Sequence, residues 1–239
     1  MPVRVKVCCI GSVGEMRAAV AAGASAVGLV AEMPSGPGVI PEPLIAEIAA
    51  RVPPGVSSFL LTSLRDPAAV VAQQRRCRAD TVQLCDAPDG GPPAYAAMRA
   101  GMPGVRLVQV VHVRDADALA EALAVAPHVD AVLLDSGNPG LAVKQLGGTG
   151  RVHDWEISRR IREALEAVGV PLFLAGGLRA DNVAAAVRLV RPYGLDICSG
   201  VRTDGRLDAA KLAEFMAAVG AVGQVADLTG SPRVVRSET

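Results

Sequence analysis

Residues 172–201 read LFLAGGLRADNVAAAVRLVRPYGLDICSGV, and the fold follows from how this stretch alternates. A short apolar run, LFLAG (172–176), leads through a Gly-rich turn to an Ala- and Val-rich segment that opens near Asp181. A second apolar run, GLDICSG (194–200), closes it. An acidic residue at the start of the middle segment suits the positive end of a helix dipole. Strand, helix and strand in this order form a βαβ unit, the building block of a parallel sheet covered by helices.

The same alternation extends outward in both directions. Apolar runs occur at VRVKVCCI (3–10), SAVGLVA (25–31), SSFLLT (57–62), TVQLC (81–85), VRLVQVVHV (105–113) and VDAVLLD (129–135). Helix signals lie between them: Ser12 as an N-cap with Gly23 as the closing glycine, and Asp66 followed by Pro67. Only the unit around PPAYAAMRAG is short and weakly periodic. Eight such repeats are the pattern of a (β/α)8 TIM barrel, a single α/β domain expected over residues 1–219. An open doubly wound sheet would show G-x-G-x-x-G after its first strand, and Ile10-Gly11-Ser12-Val13-Gly14 does not match. Residues 220–239 lack strong periodicity and are expected to form a loosely packed or disordered tail.

Composition narrows the function classes. The chain has 239 residues, with 24 basic and 24 acidic side chains and 51% apolar residues. That balance excludes a disordered chain and leaves no basic footprint for nucleic acid. No apolar run reaches membrane-spanning length, and the start MPVRVKVCCIG has no signal-peptide layout, so a cytoplasmic protein is expected, with no membrane partner. Five scattered cysteines without a C-x-x-C pair speak for reduced thiols and against a structural metal. Aromatics are only 3%, so Ala, Val, Leu and Ile must fill the core. Helices this rich in Ala and Val could also pack against a second copy of the chain.

In a barrel the active face is built from the C-terminal ends of the strands. Here those ends carry Cys8-Cys9, Ala31-Glu32, Thr62, Leu84-Cys85, His112, Asp135, Gly176-Gly177 and Ser199-Gly200. Glycine turns after the last two strands are where barrels present backbone amides to a phosphate, because a side chain there would block its oxygens. Gly148, within GGTG (147–150), can add a further amide from the unusually long segment 136–154. Asp135 follows a buried strand and precedes SGNPG rather than a helix, which favours an acid/base role over capping. Alternation puts Lys6, Cys8 and Ile10 on one face and Val5, Val7 and Cys9 on the other, so one cysteine alone is expected to face the barrel mouth.

The motifs VKVCCI, LLD, GGTGRVHDW, FLAGGL, DNV, VRPYGLDICSGV and KLAEFM, in that order, resemble the phosphoribosylanthranilate isomerase family. Its pattern is V-K-I-C-G-I, L-L-D, G-G-T-G-K-x-F-D-W, L-A-G-G-L, N-V and R-P-x-G-x-D-x-S-S-G-V-E. The resemblance implies a cofactor-free and metal-free Amadori rearrangement of an N-(5-phosphoribosyl) amine, within tryptophan biosynthesis. It implies Cys8 as general base and Asp135 as general acid. Gly148, Gly176, Gly177, Ser199 and Gly200 would grip the phosphate of the sugar substrate, and Asp196 matches the aspartate of the last strand. An ordinary thiol titrates near about 8.5, so a cysteine base needs help from its surroundings, whereas an acid such as Asp135 needs to be raised toward neutrality.

This chain departs from the family pattern at defined places. Cys9 stands where the family has glycine. Ser35-Gly36-Pro37-Gly38-Val39 replaces S-P-R-[YF]-V, so Pro37 sits where an arginine would meet the anthranilate carboxylate. Cys85 replaces the histidine of Q-L-H-G, Arg151 a lysine and His153 a phenylalanine. Arg114 or Arg151 could supply a replacement cation. Alternative readings are a divergent paralogue acting on another phosphoribosyl amine or sugar phosphate, and a non-catalytic barrel that binds a phosphorylated ligand.

Overall fold

Two apolar layers organise the molecule, and strand alternation sorts residues between them. Val27, Leu29, Leu60, Val82, Leu107, Val132, Leu134 and Leu195 pack outward against helix residues such as Met16, Ile45, Ile48, Val70, Ile161 and Val187. The intervening strand residues, among them Ala26, Phe59, Leu61, Val108, Val110, Leu133 and Phe173, point inward and fill the barrel. The computed structural model describes residues 3–34, 36–136 and 154–228.

Eight parallel strands close the barrel in sequence order: β1 (Arg4–Val7), β2 (Ala26–Val30), β3 (Ser57–Thr62), β4 (Thr81–Leu84), β5 (Arg106–His112), β6 (Ala131–Asp135), β7 (Leu172–Leu174) and β8 (Gly194–Ile197). The helices between them are α1 (Val13–Ala21), α2 (Glu42–Ala49), α3 (Pro67–Cys77), α4 (Pro92–Gly101), α5 (Ala118–Val125), α6 (Trp155–Ala167) and α7 (Val183–Val190), and α8 (Ala209–Leu228) follows β8. This is the expected (β/α)8 TIM barrel. Ser12 and Asp66 cap α1 and α3 by accepting the amides of Glu15 and Ala69. A two-residue pair, β9 (Arg202–Thr203) with β10 (Arg206–Leu207), lies between β8 and α8.

Two sequence readings change in detail. The weakly periodic fourth unit contains a full helix, α4, anchored by Tyr95, whose hydroxyl donates to the buried Gln109 Oε1 at 2.8 Å. A buried polar bond of this kind leaves no apolar rhythm in sequence. The boundary expected between residues 219 and 220 falls inside α8, and Val222 is still buried against the core. Residues 229–239 lie outside the described residues.

Candidate active site

The first strand delivers Cys8 into the barrel directly above Lys6, because the two residues share the inward face of β1. Inward-facing Gly28 on β2 makes room for both: a Cβ there would lie 2.8 Å from Cys8 Sγ and 3.2 Å from Lys6 Nζ. Lys6 is completely buried and donates to Asp196 Oδ2 at 2.8 Å. Burial alone would strip the proton from this ammonium. Attraction to the Asp196 carboxylate, and then to Cys8, outweighs burial and holds the Lys6 pKa above its ordinary value. A fixed positive charge thus stands beside the Cys8 sulfur.

Cys9 corrects the expectation that only one of the two cysteines faces inward. Its φ of +61° places it in the left-handed region, which interrupts strand alternation. Cys8 and Cys9 therefore both join the inner cluster, and Ile10 turns outward into the layer beneath the helices. The glycine of the family motif occupies this same position, where a residue without Cβ adopts positive φ freely. Cys9 Sγ lies 2.7 Å from Cys198 Sγ.

Asp135 ends β6 and is 7% exposed. Burial raises its carboxyl from 3.8 to about 6. The Ser136 amide, donating to Oδ1 at 2.7 Å, and the Lys6 charge oppose the rise, while the Asp196 charge adds to it. This is the direction required of a group that must carry a proton near neutral pH. Beside it, His112 is the direct partner of Asp135 in the β5–β6 register. Its imidazole is buried, with Nε2 3.3 Å from the Cys85 carbonyl and Nδ1 unpartnered among the described residues. Burial lowers the pKa of His112, and nearby Arg114 contributes to the same effect.

The chain therefore carries an inward imidazole at the end of β5, next to the β4 end where the family motif carries one. Cys85 itself is buried, and burial pushes its thiol up to about 12. Sequence reading noted His112 without assigning it a role, and it did not mark Lys6 as part of the site. The available signal for Lys6 was a lysine set between Val5 and Val7, two residues before Cys8 and on the same face of the strand.

The two glycine turns meet. Gly200 approaches the turn after β7 so closely that a Cβ would lie 2.2 Å from the Leu178 carbonyl oxygen. Gly176 and Gly177 both have positive φ, and Asn182 Nδ2 donates to the Gly177 carbonyl at 2.9 Å, which fixes the turn. Ser199 opens a short 3-10 helix, Ser199–Val201, and is exposed. The amides of Gly176, Gly177, Ser199 and Gly200 donate to no acceptor among the described residues. Asp196 lies one layer below, with Oδ1 buried and unpartnered among the described residues. The expected contributions of Gly148 and Arg151 lie outside the described residues.

Pro37 is exposed and offers no cation. Gly38, next to it, packs directly on Cys9: a Cβ on Gly38 would lie 2.5 Å from Cys9 Cβ. The family pattern has glycine at the position of Cys9 and Tyr or Phe at the position of Gly38. This chain has side-chain bulk at 9 and none at 38, so the two departures compensate one another in space.

Comparison with known proteins agrees with this geometry. The family model described as N-(5'phosphoribosyl)anthranilate (PRA) isomerase matches residues 6–218. An N-(5'-phosphoribosyl)anthranilate isomerase of Haloferax volcanii is 39% identical over 203 residues, covering 84% of this chain and 86% of its own. One of Methanocella arvoryzae is 34% identical over 204 residues, covering 85% and 91%. The crystal structure of phosphoribosyl anthranilate isomerase from Thermotoga maritima superposes with a TM-score of 0.76 at 25% identity, over 92% of this chain and 99% of that one. Barrel, motif order and relatives converge, and the chain belongs to the N-(5'-phosphoribosyl)anthranilate isomerase family.

Proposed function

We propose that this protein isomerises N-(5'-phosphoribosyl)anthranilate to the corresponding 1-amino-1-deoxyribulose phosphate, with Asp135 as general acid and Cys8 as general base. The observation that carries the residue assignment is the buried Asp135 carboxyl, raised to about 6 on the same inward-facing layer as Cys8 and the Lys6 charge. Asp135 protonates the furanose ring oxygen, the C1–O bond breaks, and an iminium forms between C1 and the aryl nitrogen. Cys8 then removes the proton from C2, giving an enolamine that tautomerises to the 2-ketose. Lys6 supports negative charge on the Cys8 sulfur, and Asp196 Oδ1 accepts from a substrate hydroxyl or N–H.

The amides of Gly176, Gly177, Ser199 and Gly200 receive the phosphate, an arrangement suited to an anion because N–H groups point positive charge at it. The missing arginine at position 37 leaves the anthranilate carboxylate to another cation. Arg114, on the loop after β5 and close enough to His112 to weigh against its protonation, takes that part. The test follows loss of substrate fluorescence on turnover. Wild-type protein turns the substrate over, Cys8→Ser and Asp135→Asn lower kcat by at least about a thousandfold, and Arg114→Ala raises KM with little change in kcat. Full activity in Cys8→Ser would overturn the base assignment.

A further inference from the structure

The Cys9–Cys198 pair has no part in the proposed reaction, yet it joins two loops of the barrel mouth. Cys9 follows β1 and Cys198 follows β8, the two strands that close the barrel, and their sulfurs lie 2.7 Å apart. The family pattern has glycine and serine at these positions, and this chain has a thiol at each. Cys198 is partly exposed, whereas Cys9 is buried. The Arg202 guanidinium donates to the Cys8 carbonyl at 3.1 Å and to the Cys9 carbonyl, holding the first loop against the second.

From this geometry we infer that Cys9 and Cys198 form a reversible dithiol–disulfide site that switches the enzyme off under oxidation by a low-molecular-weight disulfide. The Cys198 thiol, partly exposed, reacts first, losing its proton to become the attacking thiolate. Its thiolate displaces one half of the small disulfide and forms a mixed disulfide. Cys9 then attacks the Cys198 sulfur, the Cys9–Cys198 bond forms, and the second half leaves as a thiol carrying the Cys9 proton. Two protein thiols are oxidised by two electrons and one small disulfide is reduced to two thiols.

The local electrostatics suit this order. The hydrogen bond shared with Cys9, helped by the Arg202 charge against the cost of burial, lowers the Cys198 thiol below its ordinary range. Bonds to Cys198 and Cys8 together with burial raise Cys9, so it is the proton-bearing partner. The new bond, about 2.05 Å long, draws the residue beside the proposed base toward the residue before Ser199. It also removes the Cys9 S–H from the thiol cluster.

The experiment treats the native protein with glutathione disulfide, alkylates the remaining thiols and maps the linkage by mass spectrometry of the digest. Two of the five thiols become inaccessible, and the protein loses about 2 Da. The linked peptides disappear in Cys9→Gly and in Cys198→Ser, and dithiothreitol reverses the change. Turnover of wild type falls at least about tenfold with the linkage and returns with the reductant, while Cys198→Ser keeps its turnover under the oxidant. A linkage that persists in Cys9→Gly, a lasting glutathione adduct at Cys198, or a linked protein with unchanged turnover would each overturn the inference. The turnover arm rests on the proposed function and the linkage arm does not. Protein that never turns over the substrate but links Cys9 to Cys198 would therefore count against the function and not against the site.

Discussion

Lys6 Nζ lies 2.8 Å from Asp196 Oδ2 across the seam where β1 meets β8, and the two residues are direct partners in the strand register. The ammonium is fully buried and sits 5.3 Å from the centre of the Phe59 ring. A buried ion pair of this kind gains little over a packed apolar pair, but breaking it strands a charge in the barrel. Lys6→Met is therefore expected to cost about 3–5 kcal/mol of unfolding free energy. Adding Asp196→Leu to that variant should recover part of the loss. Urea denaturation of the two single variants and the double variant measures it, and strictly additive losses would contradict a direct pairing.

Asp135 links function to stability. A carboxyl raised from 3.8 to about 6 in the folded protein binds its proton more tightly there than in the unfolded chain. The stabilisation is complete below about pH 4 and is lost as pH rises through about 6. The carboxyl therefore weighs about 3 kcal/mol against folding at neutral pH. Asp135→Asn, which cannot ionise, should gain on wild type by about that amount between pH 4 and pH 7, while losing turnover. Denaturation curves at the two pH values decide it. An equal difference at both would show that the carboxyl is not held above its ordinary range.

Cys9 and Gly38 should behave as a coupled pair. Gly38→Phe alone sets a Cβ about 2.5 Å from Cys9 Cβ and is expected to destabilise by at least about 2 kcal/mol. Cys9→Gly alone should stabilise by about 1 kcal/mol, because it relieves a cysteine held at φ +61°. The double variant, which restores the family pattern at both positions, should lie well above the sum of the two. A coupling of about 1–3 kcal/mol is expected from a double-mutant cycle; a coupling near zero would mean that the two departures are independent.

The fold was legible because the barrel repeats one signal. Runs such as SSFLLT and VDAVLLD are too short and too rich in branched apolar residues for helices, and Asp66-Pro67 and Ser12 mark where helices begin. Cys8, Asp135 and the two glycine turns were legible as strand ends carrying chemistry. Lys6 was not, because its role depends on Asp196, 190 positions away in sequence, and only barrel closure makes them neighbours. Cys9 was misplaced for a related reason. Alternation assumes extended backbone, and nothing in the residue type cysteine announces a positive φ. The three phenylalanines of this aromatic-poor chain are core residues. Phe59 and Phe173 meet edge-to-face at 6.0 Å inside the barrel, and Phe215 packs in the outer core, so the phenylalanines serve packing.

Gly28 is the residue on which the placement of Cys8 depends most directly. It faces into the barrel from β2, and an added Cβ would meet Cys8 Sγ at 2.8 Å, Cys8 Cα at 3.1 Å and Lys6 Nζ at 3.2 Å. The lysine head can yield slightly, but the β1 backbone is paired on both sides, to β2 and to β8, and cannot. Gly28→Ala is thus expected to cost about 1–3 kcal/mol in stability by overpacking. By moving the base relative to C2 of the sugar, it should also lower kcat on the order of tenfold to a hundredfold while leaving KM nearly unchanged. Gly220→Ala, where an added Cβ meets nothing within 4 Å, serves as the control and should leave kcat at the wild-type value. A Gly28→Ala enzyme that loses stability but keeps its kcat would show that Cys8 tolerates displacement, and the base would then have to be sought elsewhere on the ring of strand ends.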